Sequence, residues 1–193
     1  MSFADKLSLL RILLIPVFVS LLFYYNESHR YLKYFIVGVF TLAVLTDFFD
    51  GFVARLKKEK SKIGEVIDPL ADKLLLLTAF ICLYSLRRSL PFNSTNSIPL
   101  YVVLIVVSRD LIILLGVLIL YLLKIEIPIA PSIWGKFTTL FQMLTILFVL
   151  IDIPMVTPYV WIAAVICTLI SGVGYFMRGV RAINAKSHPG SKS

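Results

Sequence analysis

Four aspartates have the types and spacing for chemistry: Asp47 and Asp50 in Thr46-Asp47-Phe48-Phe49-Asp50-Gly51-Phe52-Val53-Ala54-Arg55, then Asp68 and Asp72 downstream of Gly64. All four lie in apolar surroundings, where an aspartate at the centre of a membrane helix costs roughly 2.5–3.5 kcal/mol on insertion scales. Such a set persists only where metal, cations or water compensate it. Hard oxygen donors at close range suit magnesium or manganese. Two divalent ions roughly 3.5–4 Å apart are a recurrent device for displacement at phosphorus, since they neutralise phosphate oxygens and the departing group together. Asp47, Asp50 and Asp68 are the first ligand candidates. Asp72, one helical turn beyond Asp68, completes the metal set or stands off it as the base that takes a proton from an attacking hydroxyl.

The spacing also predicts how these residues are carried. Positions i, i+3, i+4, i+7 and i+8 share one helix face, and here they are Asp47, Asp50, Gly51, Ala54 and Arg55. Gly51 and Ala54 leave room on that face for a flat or bulky group. Ser61, Gly64, Asp68 and Asp72 recur in the same way on the next segment, so two polar stripes are expected to face one cavity. Pro69 is expected to bend that second segment.

Two further cations belong with the cluster. Arg109 is mid-segment in Val107-Ser108-Arg109-Asp110, and Lys136 follows Gly135 at the start of the fifth apolar segment. Converging on the cavity, they would hold an anionic, phosphate-bearing acceptor. The plainer alternatives are a structural pair of Arg109 with Asp110 or a cluster aspartate, and an interfacial anchor for Lys136. Lys73 is expected to pair with Asp72 or Asp68.

The elements that must position these groups are membrane spans. A mean hydropathy of +0.93 and 59% hydrophobic residues in 193 lie outside the range of soluble domains. Apolar segments at 7–25, 32–56, 65–86, 98–123, 133–151 and 156–177 each approach the roughly 20 residues that cross a bilayer. The expected fold class is all-α, a polytopic membrane protein with six transmembrane helices. Residues 1–185 form the membrane domain and 186–193 a frayed polar tail.

With an even number of spans, one side collects Lys6, Arg11, Arg55, Lys57, Lys58, Lys60, Lys62, Lys124, Lys136, Arg178, Arg181, Lys186 and Lys192. The other has Arg30, Lys33, Arg87 and Arg88. The excess of basic residues places both termini and the aspartate cluster on the cytoplasmic side of a cell inner membrane. The net charge of +8 then reflects topology and attraction to anionic lipid, and nucleic-acid binding is not expected. Cys82 and Cys167 lack metal-ligand spacing and read as packing residues.

Asp47-x-x-Asp50-Gly51-x-x-Ala54-Arg55 followed by Gly64-x-x-x-Asp68-x-x-x-Asp72 resembles the signature of the CDP-alcohol phosphatidyltransferase family at each fixed position. The resemblance implies a homodimeric enzyme, dependent on two magnesium or manganese ions, that transfers a phosphatidyl group from CDP-diacylglycerol to an alcohol and releases CMP. It implies metal ligation by Asp47, Asp50 and Asp68, with Asp72 as general base. The cytidine nucleotide would be held around Asp50, Gly51, Ala54, Arg55 and Gly64. Asp68-Pro69-Leu70-Ala71-Asp72-Lys73 and Gly135-Lys136 with Thr139 and Gln142 look like members whose acceptor is glycerol 3-phosphate, with Arg109 and Lys136 on its phosphate. Ser108-Arg109-Asp110 is similar to members whose acceptor is the lipid alcohol phosphatidylglycerol. A reading from another class is a divalent-cation transporter in which the aspartates are the transport site and Arg109 a gate.

Overall fold

The computed structural model describes the backbone of residues 3–57, 64–90, 96–122 and 133–187, and the side chains of 9–26, 28–46, 73–90, 96–116, 133–175 and 177. Among the described residues there are six α-helices and no strand: α1 (Phe3–Tyr24), α2 (Leu32–Lys57), α3 (Gly64–Leu86), α4 (Leu100–Leu122), α5 (Ile133–Ile151) and α6 (Thr157–Ser187). Helices are what such long apolar runs must form, because each pairs its own backbone polar groups internally. α3 runs through Pro69 without a break in its assignment.

The helices form two groups of three. α1 packs along both α2 and α3, α6 packs along both α5 and α4, and contacts of α3 with α4 and of α5 with α2 and α3 join the groups. Buried residues follow helical spacing on each contact face. The buried apolar residues are Ile36, Phe40 and Ala43 on α2, Leu75, Leu76, Leu77, Ala79, Phe80 and Leu83 on α3, and Val102, Val103 and Val106 on α4. Phe18 of α1 and Phe40 of α2 meet with ring centroids 5.7 Å apart. The opposite faces expose large apolar side chains, among them Leu13, Phe35, Leu104, Ile112, Tyr159 and Val173.

By length and composition, two helical stretches, Ile133–Ile151 and Thr157–Tyr175, are long and apolar enough to cross a membrane. Leu9–Tyr24, Leu32–Thr46 and Lys73–Leu86 are shorter apolar stretches, all of this among the described residues.

One end of the bundle is fastened by main-chain chemistry. Asp152 has φ 67°, its N–H donates to Phe148 and Val149 carbonyls at 3.0 and 3.1 Å, and the next N–H, of Ile153, returns to Phe148 at 3.1 Å. This is a left-handed helix stop on α5, with aspartate where glycine is commoner. Buried Asn96 braces it, its Nδ2 donating to Asp152 Oδ1 at 2.8 Å and to the Val149 carbonyl at 3.3 Å. Lys33 at the start of α2 donates to the Ile151 carbonyl at 2.8 Å. The start of α2 thus meets the end of α5, and the two helices run antiparallel.

Candidate active site

The aspartates fall on α2 and α3, as their spacing requires. Asp47, Asp50, Gly51, Ala54 and Arg55 lie in the last third of α2, and Gly64, Asp68 and Asp72 in the first half of α3. Their side chains lie outside the described residues. Their register is nevertheless informative. The spacing that buries Ile36, Phe40 and Ala43 on α2 leads on through positions 47, 50 and 54. On α3, stepping back from buried Ala79, Phe80 and Leu76 leads through 72, 68 and 64. Both sets of positions thus stand in helical register with the buried stripe of their own helix, and α1 and α5 each pack against both helices. An all-carboxylate donor set recurring every three or four residues fits a hard divalent cation. Among the described residues no group of three or more histidines, cysteines, aspartates or glutamates offers another metal site.

Arg109 and Asp110 extend the buried stripe of α4, and both are buried, Asp110 completely. Arg109 Nη1 donates to Asp110 Oδ1 at 2.6 Å, and Lys73 Nζ of α3 donates to the same oxygen at 3.2 Å. Arg109 Nη2 donates to Ser171 Oγ on α6 at 2.5 Å, and its guanidinium carbon lies 5.6 Å from the centre of the Tyr175 ring. Among the described residues two cations therefore share one buried carboxylate oxygen, and a triad of that balance favours an incoming anion.

Among the described residues Lys73 pairs with Asp110 across the α3–α4 contact; its expected partners Asp72 and Asp68 lie outside the described side chains. The structural pair weighed for Arg109 does form, with its own neighbour Asp110. Lys136 is exposed on the first turn of α5 and is not joined to Arg109. The residue before it is: a Cβ on Gly135 would lie 3.7 Å from Ser171 Oγ and from Tyr175. Arg11, counted above among the topological charges, is wholly buried on α1. A buried guanidinium needs anionic company, and α1 packs on the two helices that carry the aspartates.

Ser171, Gly172 and Tyr175 have no place in the sequence reading. Gly172 lies against Arg109, where a Cβ would make an ordinary contact with Arg109 Cγ at 3.6 Å. The available signal was the small Ser171-Gly172 pair inside an apolar span, a common mark of close helix approach.

Comparison with known proteins gives the family of the chain. A family model described as CDP-alcohol phosphatidyltransferase matches residues 1–170. The chain belongs to the CDP-alcohol phosphatidyltransferase family. It is 34% identical over 190 residues to a probable phosphatidylglycerophosphate synthase of Mycobacterium tuberculosis, covering 94% of this chain and 83% of that protein. It is 32% identical over 190 residues to the CDP-diacylglycerol–glycerol-3-phosphate 3-phosphatidyltransferase of Aquifex aeolicus, covering 95% and 98%. The protein of the same name from Rickettsia typhi is 34% identical over 181 residues, covering 89% and 93%.

Proposed function

We propose that this chain is a phosphatidylglycerophosphate synthase, which transfers the phosphatidyl group of CDP-diacylglycerol to glycerol 3-phosphate and releases CMP. Family membership supports the donor, and the names of relatives that match nearly the whole chain support the acceptor. The observation that carries the chemistry is the helical register of the aspartate positions on α2 and α3 with the buried stripes of those helices.

Asp47, Asp50, Asp68 and Asp72 would hold two magnesium or manganese ions, which when bound supply charge neutralisation along the diphosphate of the donor. Gly51, Ala54 and Gly64 lack bulk on the same faces, which suits a cytidine nucleotide lying against the helices beside Asp50 and Arg55. Asp72 takes the proton of an acceptor hydroxyl. The oxygen so freed forms a bond to the lipid-side phosphorus, and the bond from that phosphorus to the CMP oxygen breaks. Arg109, with its shared counter-ion, attracts the acceptor's phosphate, and exposed Lys136 beside Gly135 adds charge at the approach. We further read the protein as a homodimer crossing the cell inner membrane six times, with both ends and the site on the cytoplasmic side. The apolar outer faces of the helices and the basic residues of the links support this reading.

Purified protein given CDP-diacylglycerol with glycerol 3-phosphate or phosphatidylglycerol tests the proposal. CMP release is expected with glycerol 3-phosphate, ending when EDTA is added. Asp72→Asn should lower kcat by about 10²–10⁴-fold, the usual contribution of a positioned base. Turnover with phosphatidylglycerol alone would move the chain to another branch of the family. Ion flux into liposomes without turnover would replace the enzyme by the transporter.

A further inference from the structure

Gln142 of α5 is wholly buried, and neither its amide nitrogen nor its amide oxygen has a hydrogen-bond partner. Its polar neighbours by register are already paired with their own helices. Thr138 and Thr145 on the same stripe donate to Trp134 and Phe141 carbonyls at 2.9 and 2.7 Å. In lipid no water replaces a missing partner, so an amide kept in this condition is held for something that arrives.

Its position points to the active site. Gln142 stands two turns along α5 from Gly135, the residue against Ser171 and Tyr175 beside Arg109. The Lys33 contact with Ile151 joins the start of α2 to the end of α5, so Gln142, nine residues back along α5, lies part-way from that contact toward the level of Asp47 on α2. Seven residues of α5 separate Gln142 from Gly135, about 10 Å of rise, the gap that an extended polyol phosphate bound at Arg109 has to cross to reach the amide.

The chemistry of the open amide narrows the ligand. Phosphate oxygens and the ester carbonyls of a diacylglycerol only accept, and would leave the amide oxygen unpaired. Adjacent hydroxyls satisfy both ends. We propose that Gln142 determines acceptor specificity by reading a vicinal diol, its Nε2–H donating to one hydroxyl oxygen and its Oε1 accepting from the neighbouring hydroxyl. This rests on glycerol 3-phosphate being the acceptor.

The test compares wild type with Gln142→Met in the full-length protein, using glycerol 3-phosphate and 3-hydroxypropyl phosphate, which lacks the middle hydroxyl. Wild type should favour glycerol 3-phosphate by about 10–100-fold in kcat/KM, the worth of a buried hydrogen-bonded match. In Gln142→Met that preference should fall to near unity through a higher KM for glycerol 3-phosphate. The KM for CDP-diacylglycerol should hold, and Tm should hold or rise because no bond of the free protein is lost. Gln142→Leu gives a second reading should Met disturb packing. Undiminished preference in the variants overturns the assignment, as does a fall in Tm with equal losses for both acceptors. A donor with ether-linked chains adds a control: if wild type but not Gln142→Met discriminates against it, the amide reads the lipid esters instead. Failure of wild type to use glycerol 3-phosphate sinks the functional reading itself, whereas normal use with unchanged preference in the variants sinks only the role of Gln142.

Discussion

Lys73 on α3 and Asp110 on α4 form an ion pair at 3.2 Å, and through it the helix that bears Asp68 and Asp72 is tied to buried Arg109. Asp110 Oδ1 is the common acceptor for Lys73 and Arg109, so the carboxylate fixes two cations at once.

Asp110→Asn is therefore expected to cost about 3 kcal/mol or more of stability, the usual result of removing one side of a buried pair and stranding the rest. Thermal unfolding in detergent measures it. Lys73→Met added to Asp110→Asn should recover part of the loss, because the stranded ammonium is gone. Simple additivity of the two changes would show that the pair carries no coupling.

Gly172 decides how closely α6 approaches Arg109. Gly172→Ala places a Cβ 3.6 Å from Arg109 Cγ, an ordinary contact, and should leave turnover near wild type. Gly172→Leu should displace the guanidinium from Ser171 and raise the acceptor KM by about 10-fold, equivalent to about 1.4 kcal/mol, while the CDP-diacylglycerol KM stays in place. Steady-state kinetics with each substrate varied in turn distinguishes this from general damage, which would move both constants.

At the far end of the bundle, Asn96→Ala removes the bonds to Asp152 and to the end of α5. The expected loss is about 1–3 kcal/mol with kcat unchanged, since the site lies at the other end of the helices. A drop in kcat per folded molecule would show that the two ends are coupled.

The helices were legible because apolar runs of bilayer length have few alternatives: the segments expected at 32–56, 65–86 and 133–151 compare with Leu32–Lys57, Gly64–Leu86 and Ile133–Ile151. The acidic stripes were legible for the same reason, since spacing along one helix is a property of that helix alone. What crosses between helices was not. The pairing of Lys73 with Asp110 depends on how α3 and α4 are rotated, which no local spacing encodes. Burial of Arg11 was hidden because one arginine in an apolar run also looks like the edge of a span. Gln142 drew notice only as part of a resemblance; its empty amide emerges once the packing around α5 is known.

The carboxylate that clasps two cations, with the arginine reaching on to Ser171, forms a crossbar joining α3, α4 and α6 at one depth. A carrier must swing one half of its bundle past the other on each cycle. Here that stroke would separate a buried carboxylate from its counter-ions at about 3–5 kcal/mol. Such bracing belongs to a scaffold whose helices keep their places through a cycle of work.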